Sequence, residues 1–124
     1  MKIIIAGAGK IGYSVASILA DEGHDITVID NDSATITNLS NNLDVICVEG
    51  SATNSETLLE AGAADADLLM AATRSDETNM VCGISASKLG TKHVIARIRD
   101  TAYLRQMEFL REALGLSVIV NPEL

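Results

Sequence analysis

Aromatic side chains are almost missing from this chain: two Tyr, one Phe and no Trp, 2% of the residues. Stacking of successive bases from a single-stranded nucleic acid therefore has no platform. Positive charge is scarce as well. Nine Lys and Arg against 17 Asp and Glu give a net charge of −8. That argues against a general DNA- or RNA-binding surface, because such surfaces work by neutralising phosphates. A single bound nucleotide needs only a few local cations and remains permitted. The two cysteines, Cys47 and Cys82, have no metal-ligand spacing and sit in apolar surroundings. They read as buried free thiols of a reducing compartment, not as a disulfide framework or a metal site. No apolar run approaches the ~20 residues that span a bilayer, and the apolar start is too short for a signal peptide. The expectation is a cytoplasmic domain.

What the chain does have is aliphatic bulk. Of its 124 residues, 48% are hydrophobic and 21% charged, enough for one domain with a real core. Residues 3–6, 26–29, 45–48, 68–72, 94–98 and 118–120 are short apolar runs, as expected of parallel strands buried on both faces. Between them, residues 11–20, 33–43, 55–60, 76–89 and 101–114 read as helices. In the first helix Ile11, Val15, Ile18 and Leu19 recur at i, i+4, i+7 and i+8. Asp32 or Ser33, Ser55, and Ser75 or Asp76 are the cap candidates, while Gly23, Gly62, Gly90 and Gly115 supply stops. Strict alternation predicts an α/β, three-layer Rossmann fold with a doubly wound, six-stranded parallel sheet in order 3-2-1-4-5-6. Right-handed crossovers then gather the carboxyl ends of the strands on one edge. Residues 1–124 read as a single domain. The leader Asn121-Pro122-Glu123-Leu124 after the last strand suggests a fragment of a longer protein.

The first strand runs directly into Gly7-Ala8-Gly9-Lys10-Ile11-Gly12, a helix follows, and the second strand ends in Asp30. That is the dinucleotide-binding fingerprint in the context that gives it meaning. Gly7 permits the sharp turn, Gly9 lets backbone approach a pyrophosphate, and Gly12 lets helix and strand pack. The helix start offers N–H groups and partial positive charge to phosphates. Asp30, with Asn31 beside it, would hold a ribose. Its charge favours an unsubstituted ribose, hence NAD or an adenine nucleotide over NADP. Ser51-Ala52-Thr53 follows the third strand, where the adenine edge would lie, or forms only a turn and helix cap. Thr73 follows the fourth strand, where a second ribose or a distal phosphate would come.

Cations gather at the same edge. Lys10 stands inside the glycine loop, Arg74 follows the fourth strand, and Arg97 and Arg99 close the fifth. In an acidic chain this suggests extra phosphate charge on the ligand. Catalytic equipment is not evident: His24 and His93 precede strands and so belong to the opposite edge, and no Ser/His/Asp group converges. Apolar coverage is wide on two helices, through Met80, Val81, Cys82, Ile84, Ala86 and Leu89, and through Tyr103, Met107, Phe109, Leu110, Ala113 and Leu114. A second copy of the chain would cover such faces.

Five segments together resemble the TrkA family: residues 1–12, Asp30, Leu59-Glu60-Ala61-Gly62-Ala63, Ser75-Asp76-Glu77-Thr78-Asn79-Met80, and Ala96-Arg97-Ile98-Arg99. The likeness is to the N-terminal, nucleotide-binding lobe of the domain called RCK or KTN, and it spans essentially the whole chain. The resemblance implies a cytoplasmic, non-enzymatic regulator of a potassium transport system, peripheral at the inner membrane face. It implies NAD(H) or ATP/ADP as ligand, a homodimer or larger RCK ring, and a TrkH-like membrane transporter subunit as partner. In that picture Gly7, Gly9, Gly12 and Lys10 hold phosphates, Asp30 the ribose, Ser51 to Thr53 flank adenine, and Arg97 and Arg99 reach distal phosphates. Ser51 departs from the family, many of whose members carry an acid there. The competing reading is the NAD-binding domain of a dehydrogenase whose substrate domain lies beyond Leu124.

Overall fold

An apolar strand such as Lys2-Ile3-Ile4-Ile5-Ala6 needs cover on both faces, because alternate side chains point to opposite sides. The computed structural model, which describes residues 1–114 and 118–120, supplies it. Strands β1 (Lys2–Ala6), β2 (Asp25–Asp30), β3 (Ile46–Glu49), β4 (Leu68–Ala71), β5 (His93–Arg97) and β6 (Val118–Val120) form one sheet in the order β3-β2-β1-β4-β5-β6. All the pairings are parallel. Helices α1 (Lys10–Asp21), α2 (Ser33–Asn42), α3 (Ser55–Glu60), α4 (Asp76–Leu89) and α5 (Thr101–Leu114) make the crossovers. The alternation and strand order are those the apolar pattern predicts.

The core divides by the parity of the strand residues. Ile3, Ile5, Ile26 and Val28 pack with Ala16 of α1 and Leu39 of α2 on one side. Ile4, Ala6, Ile29 and Leu69 pack with Leu58 of α3, Cys82 and Ala86 of α4, and Met107 of α5 on the other. Ile4 and Ile5 are fully buried, on opposite faces of one strand. Each contributes about 1.5–3 kcal/mol of burial, so β1 is the spine of both layers.

Three local expectations are corrected. Asn54, not Ser55, caps α3: its side chain accepts from Glu56 N at 2.8 Å, and Ser55 already occupies the first helical position. Strand β5 ends at Arg97, leaving Ile98 and Arg99 in the following loop. Cys82 is fully buried, but Cys47 is only half-buried, because β3 is an edge strand. Burial pushes the Cys82 thiol up to about 12, so it stays protonated. Asp32 and Ser75 cap α2 and α4. The stop at Gly115 and the leader at residues 121–124 lie outside the described residues. Among the described residues, no helix is long and apolar enough to cross a membrane.

Candidate functional site

Strand register decides which residues emerge together. Ala6 pairs with Ile29 and with Ala71, Ile29 pairs with Val48, and Ala71 pairs with Ala96. The next residues along, Gly7, Asp30, Glu49, Ala72 and Arg97, therefore leave the sheet in one row at its carboxyl edge. Gly7 N donates to Ile29 O and Ala72 N to Ala6 O, each at 2.8 Å, so the strand ends are tied before the loops begin. A cleft of about 800 Å³ opens there, within the usual size range of small-molecule sites.

The glycine loop sorts into packing and open positions. Gly7 has φ +99°, and a Cβ on it would meet Thr73 at 2.9 Å. At Gly12 a Cβ would lie 1.8 Å from the Gly7 carbonyl oxygen. Both glycines are required by the fold itself. Gly9 is different: nothing lies within 4 Å of where its Cβ would be, and Gly9 itself lines the cleft. Gly9 is also the N-cap of α1, where no side chain accepts from the helix and no acid stands in the first turn. The N-termini of α2, α3 and α4 all have side-chain caps. The α1 start therefore borders the cleft with N–H groups that no side chain caps.

Asp30 closes the loop. Its carboxylate accepts from Ala8 N and from Asp32 N, each at 2.9 Å. The side chain that sequence assigns to a ribose thus also shapes the glycine turn, and each oxygen retains a further lone pair. Next to it, the Thr35 hydroxyl and N–H donate to Asp32 and hold its carboxyl below the ordinary carboxylate range. Ser51 and Thr53 form a compact turn, their hydroxyls 2.8 Å apart, with Ala52 buried beneath.

The far wall is organised by two side chains, Asn79, which the sequence offers only as part of a family segment, and Asp76, which it offers besides as a cap candidate. Asn79, with no exposed surface, accepts from Thr73 N at 2.9 Å and from the Thr73 hydroxyl at 2.7 Å. It donates to Thr73 O at 3.1 Å and to Arg97 O at 2.8 Å. Asp76, 9% exposed, accepts from Arg99 N at 3.0 Å and Asp100 N at 2.9 Å. The first turn of α4 thereby fixes the ends of β4 and β5 together. The spacing of 76 and 79 on one helix face is the signal the sequence holds for this pair.

Gly7, Ala8, Gly9, Lys10, Ile11, Asp30, Asn31, Ser51, Ala52, Thr53, Thr73, Arg97 and Arg99 all line the cleft, as does Arg74. Gly12 does not; it is buried behind the loop. Arg97 donates through Nη1 to Thr73 O at 3.1 Å, and its buried Nε has no hydrogen-bond partner among the described residues. Arg99 donates through Nη2 to Arg74 O at 3.0 Å. His24 and His93 are at the opposite edge, His24 half-buried beside the N-terminal amine. Among the described residues no group of His, Cys, Asp and Glu could hold a metal ion.

The TrkA-N domain family model matches residues 3–122. The chain belongs to the TrkA-N domain family. A Trk system potassium uptake protein TrkA of Haemophilus influenzae is 43% identical over 126 residues, covering 99% of this chain and 28% of the relative. A TrkA homolog of Archaeoglobus fulgidus is 38% identical over 124 residues, covering 100% of this chain and 28% of its own length. This TrkA-N domain thus spans just over a quarter of those relatives, which are named as potassium uptake proteins, not dehydrogenases. Among solved structures, the TrkA-N domain of the inner membrane protein ybaL from Escherichia coli superposes with a TM-score of 0.85 at 20% identity, covering 98% of this chain and 87% of that one. The GsuK channel bound to NAD superposes with a TM-score of 0.81 at 23% identity, covering 96% of this chain and 21% of that one. Both share the fold of this TrkA-N domain.

Proposed function

We propose that the cleft binds an adenine nucleotide, NAD(H) or ATP/ADP, and that the domain is the nucleotide-binding lobe of a longer, cytoplasmic, non-catalytic regulator of potassium transport. The observation that carries this reading is the uncapped start of α1 beside Gly9, whose missing Cβ leaves room for a pyrophosphate against the backbone. Gly7, Ala8, Gly9 and Ile11 would supply the phosphate seat, with Gly12 supporting it from behind, and Lys10 its charge. Asp30 and Asn31 would hold the ribose, and Ser51, Ala52 and Thr53 would border adenine. Thr73, Arg97 and Arg99 would take the second ribose of NAD or the distal phosphates of ATP. Potassium uptake proteins among the relatives support the transport role, with a TrkH-like membrane subunit as partner and a homodimer or RCK ring as the working assembly.

Regulation follows from differential affinity: a ligand shifts an assembly only by binding one of its shapes more tightly. ATP carries a third phosphate toward the arginines and ADP does not, so phosphate number becomes geometry. Calorimetric titration with NAD, NADH, ATP and ADP tests the reading, repeated on Asp30→Ala and Arg97→Ala. Asp30→Ala should weaken every nucleotide by about tenfold or more, the loss of one or two charge-assisted hydrogen bonds. Arg97→Ala should weaken ATP more than ADP. Failure of every nucleotide to bind more tightly than millimolar would sink the proposal.

A further inference from the structure

The geometry points to Asn79 and Asp76 as positioning residues that set the preference for the ligand's distal phosphates by fixing the backbone of Arg97 and Arg99. This rests on the nucleotide reading of the cleft and adds to it the residues that confer phosphate specificity.

The argument begins with what each arginine can do. Arg97 is half-buried, and one of its donors is committed to Thr73 O. Its Nε is buried without a partner, an arrangement that costs free energy unless something in the cleft accepts from it. An anionic oxygen is the acceptor a guanidinium favours, because planar donors match phosphate in a fixed geometry. Such matching demands placement to within a fraction of an ångström, and a strand end followed by a loop does not by itself provide it.

The placement comes from α4. Asn79 uses all its hydrogen-bonding groups on Thr73 and Arg97, so that the carbonyl Arg97 Nη1 leans on and Arg97's own carbonyl are held by one amide. Asp76 does the same two residues further on, through the N–H groups of Arg99 and Asp100. Neither side chain lines the cleft. Their influence on a ligand passes through the arginines. The other half of the site, Gly7 to Gly12 and Asp30, has its own ties and makes no hydrogen bond to either residue. Nucleotides that differ only beyond the first phosphate should therefore separate the two halves.

The test titrates ATP, ADP and AMP into the wild-type chain, Asp76→Asn, Asn79→Asp and Tyr103→Phe, with thermal melting of each alongside. Asp76→Asn keeps the shape and removes one acceptor. Asn79→Asp keeps the bonds from Thr73 and sets an oxygen against two carbonyls. Tyr103→Phe is the control: it keeps the ring and removes only a hydroxyl that donates to Glu77 at 3.2 Å in the same turn of α4. Asp76→Asn should lower the ratio of ATP to AMP affinity about tenfold, as expected if a displaced Arg99 forfeits one charge-assisted bond to a distal phosphate, with AMP binding unchanged. Asn79→Asp, if it folds, should lower it further, and Tyr103→Phe should leave it alone. If ATP and AMP affinities fall together in Asp76→Asn, or neither moves, the inference is wrong and the nucleotide reading survives. If the wild-type chain binds ATP no better than AMP, the arginine half is not a phosphate site and the inference fails alone. If the wild type binds no nucleotide at all, both fail.

Discussion

Gly9 and Gly12 are the same residue type three positions apart, yet they answer to different demands. An alanine methyl at Gly12 would overlap the Gly7 carbonyl oxygen, and backbone cannot move aside as a flexible side chain can. Gly12→Ala should cost at least ~3 kcal/mol in denaturant unfolding, in the range of severe core lesions. Gly9→Ala meets nothing and should shift stability by no more than ~0.5 kcal/mol, while weakening nucleotide binding. A ligand-independent fall in stability for both variants would remove the distinction. The thiols divide in the same manner. Cys82 is buried and protonated, Cys47 half-exposed, so iodoacetamide should label the native chain at Cys47 and reach Cys82 only after unfolding.

Among the elements, helix starts carry most of the information. Asn54 caps α3 and lies outside the cleft lining, so Asn54→Ala should lower stability by about 1 kcal/mol, the ordinary worth of a cap, with nucleotide affinity unchanged. Cap and strand signals made the order of elements legible: isoleucine runs could only be doubly covered strands, and the glycine loop could only sit between a strand and a helix. The candidate site was legible where a residue's type suggests its task, as with Gly9, Asp30, Arg97 and Arg99, which all line the cleft. It was not legible where the task is to hold another residue's backbone. Asn79 and Asp76 are polar residues near a helix start, and only the tertiary approach of β4 and β5 to that turn reveals them as buried. The exposure of Cys47 escaped although the expected strand order put its strand at the edge, because apolar neighbours in sequence were read as burial.

For the whole molecule, charge is distributed against its sign. The chain is strongly acidic, yet Lys10, Arg74, Arg97 and Arg99 border one cleft. Screening shortens the reach of such a cluster, so raising ionic strength should weaken ATP more than AMP in parallel titrations. The opposite edge of the sheet has its own pattern. Lys2 holds the Asp65 carboxyl below its ordinary value of 3.8 through a side-chain hydrogen bond. Asp67 is held low first by Lys2 N and then by the Lys92 side chain. Because these folded values are depressed, the stability they confer is present above 3.8 and is lost as the pH falls below it. Asp67→Asn should therefore flatten the acid limb of a stability-against-pH curve and leave its shape near neutrality unchanged.

The grip of Asp30 on Ala8 N and Asp32 N bears on time as well as on affinity. A glycine loop already folded by a carboxylate would present no slow rearrangement for an arriving nucleotide to wait on. Association should then rise linearly with nucleotide concentration in stopped-flow mixing, without the plateau that a prior loop closure imposes. Release of the ligand would set the response time, so the domain would follow changes in its nucleotide pool as fast as bound molecules leave.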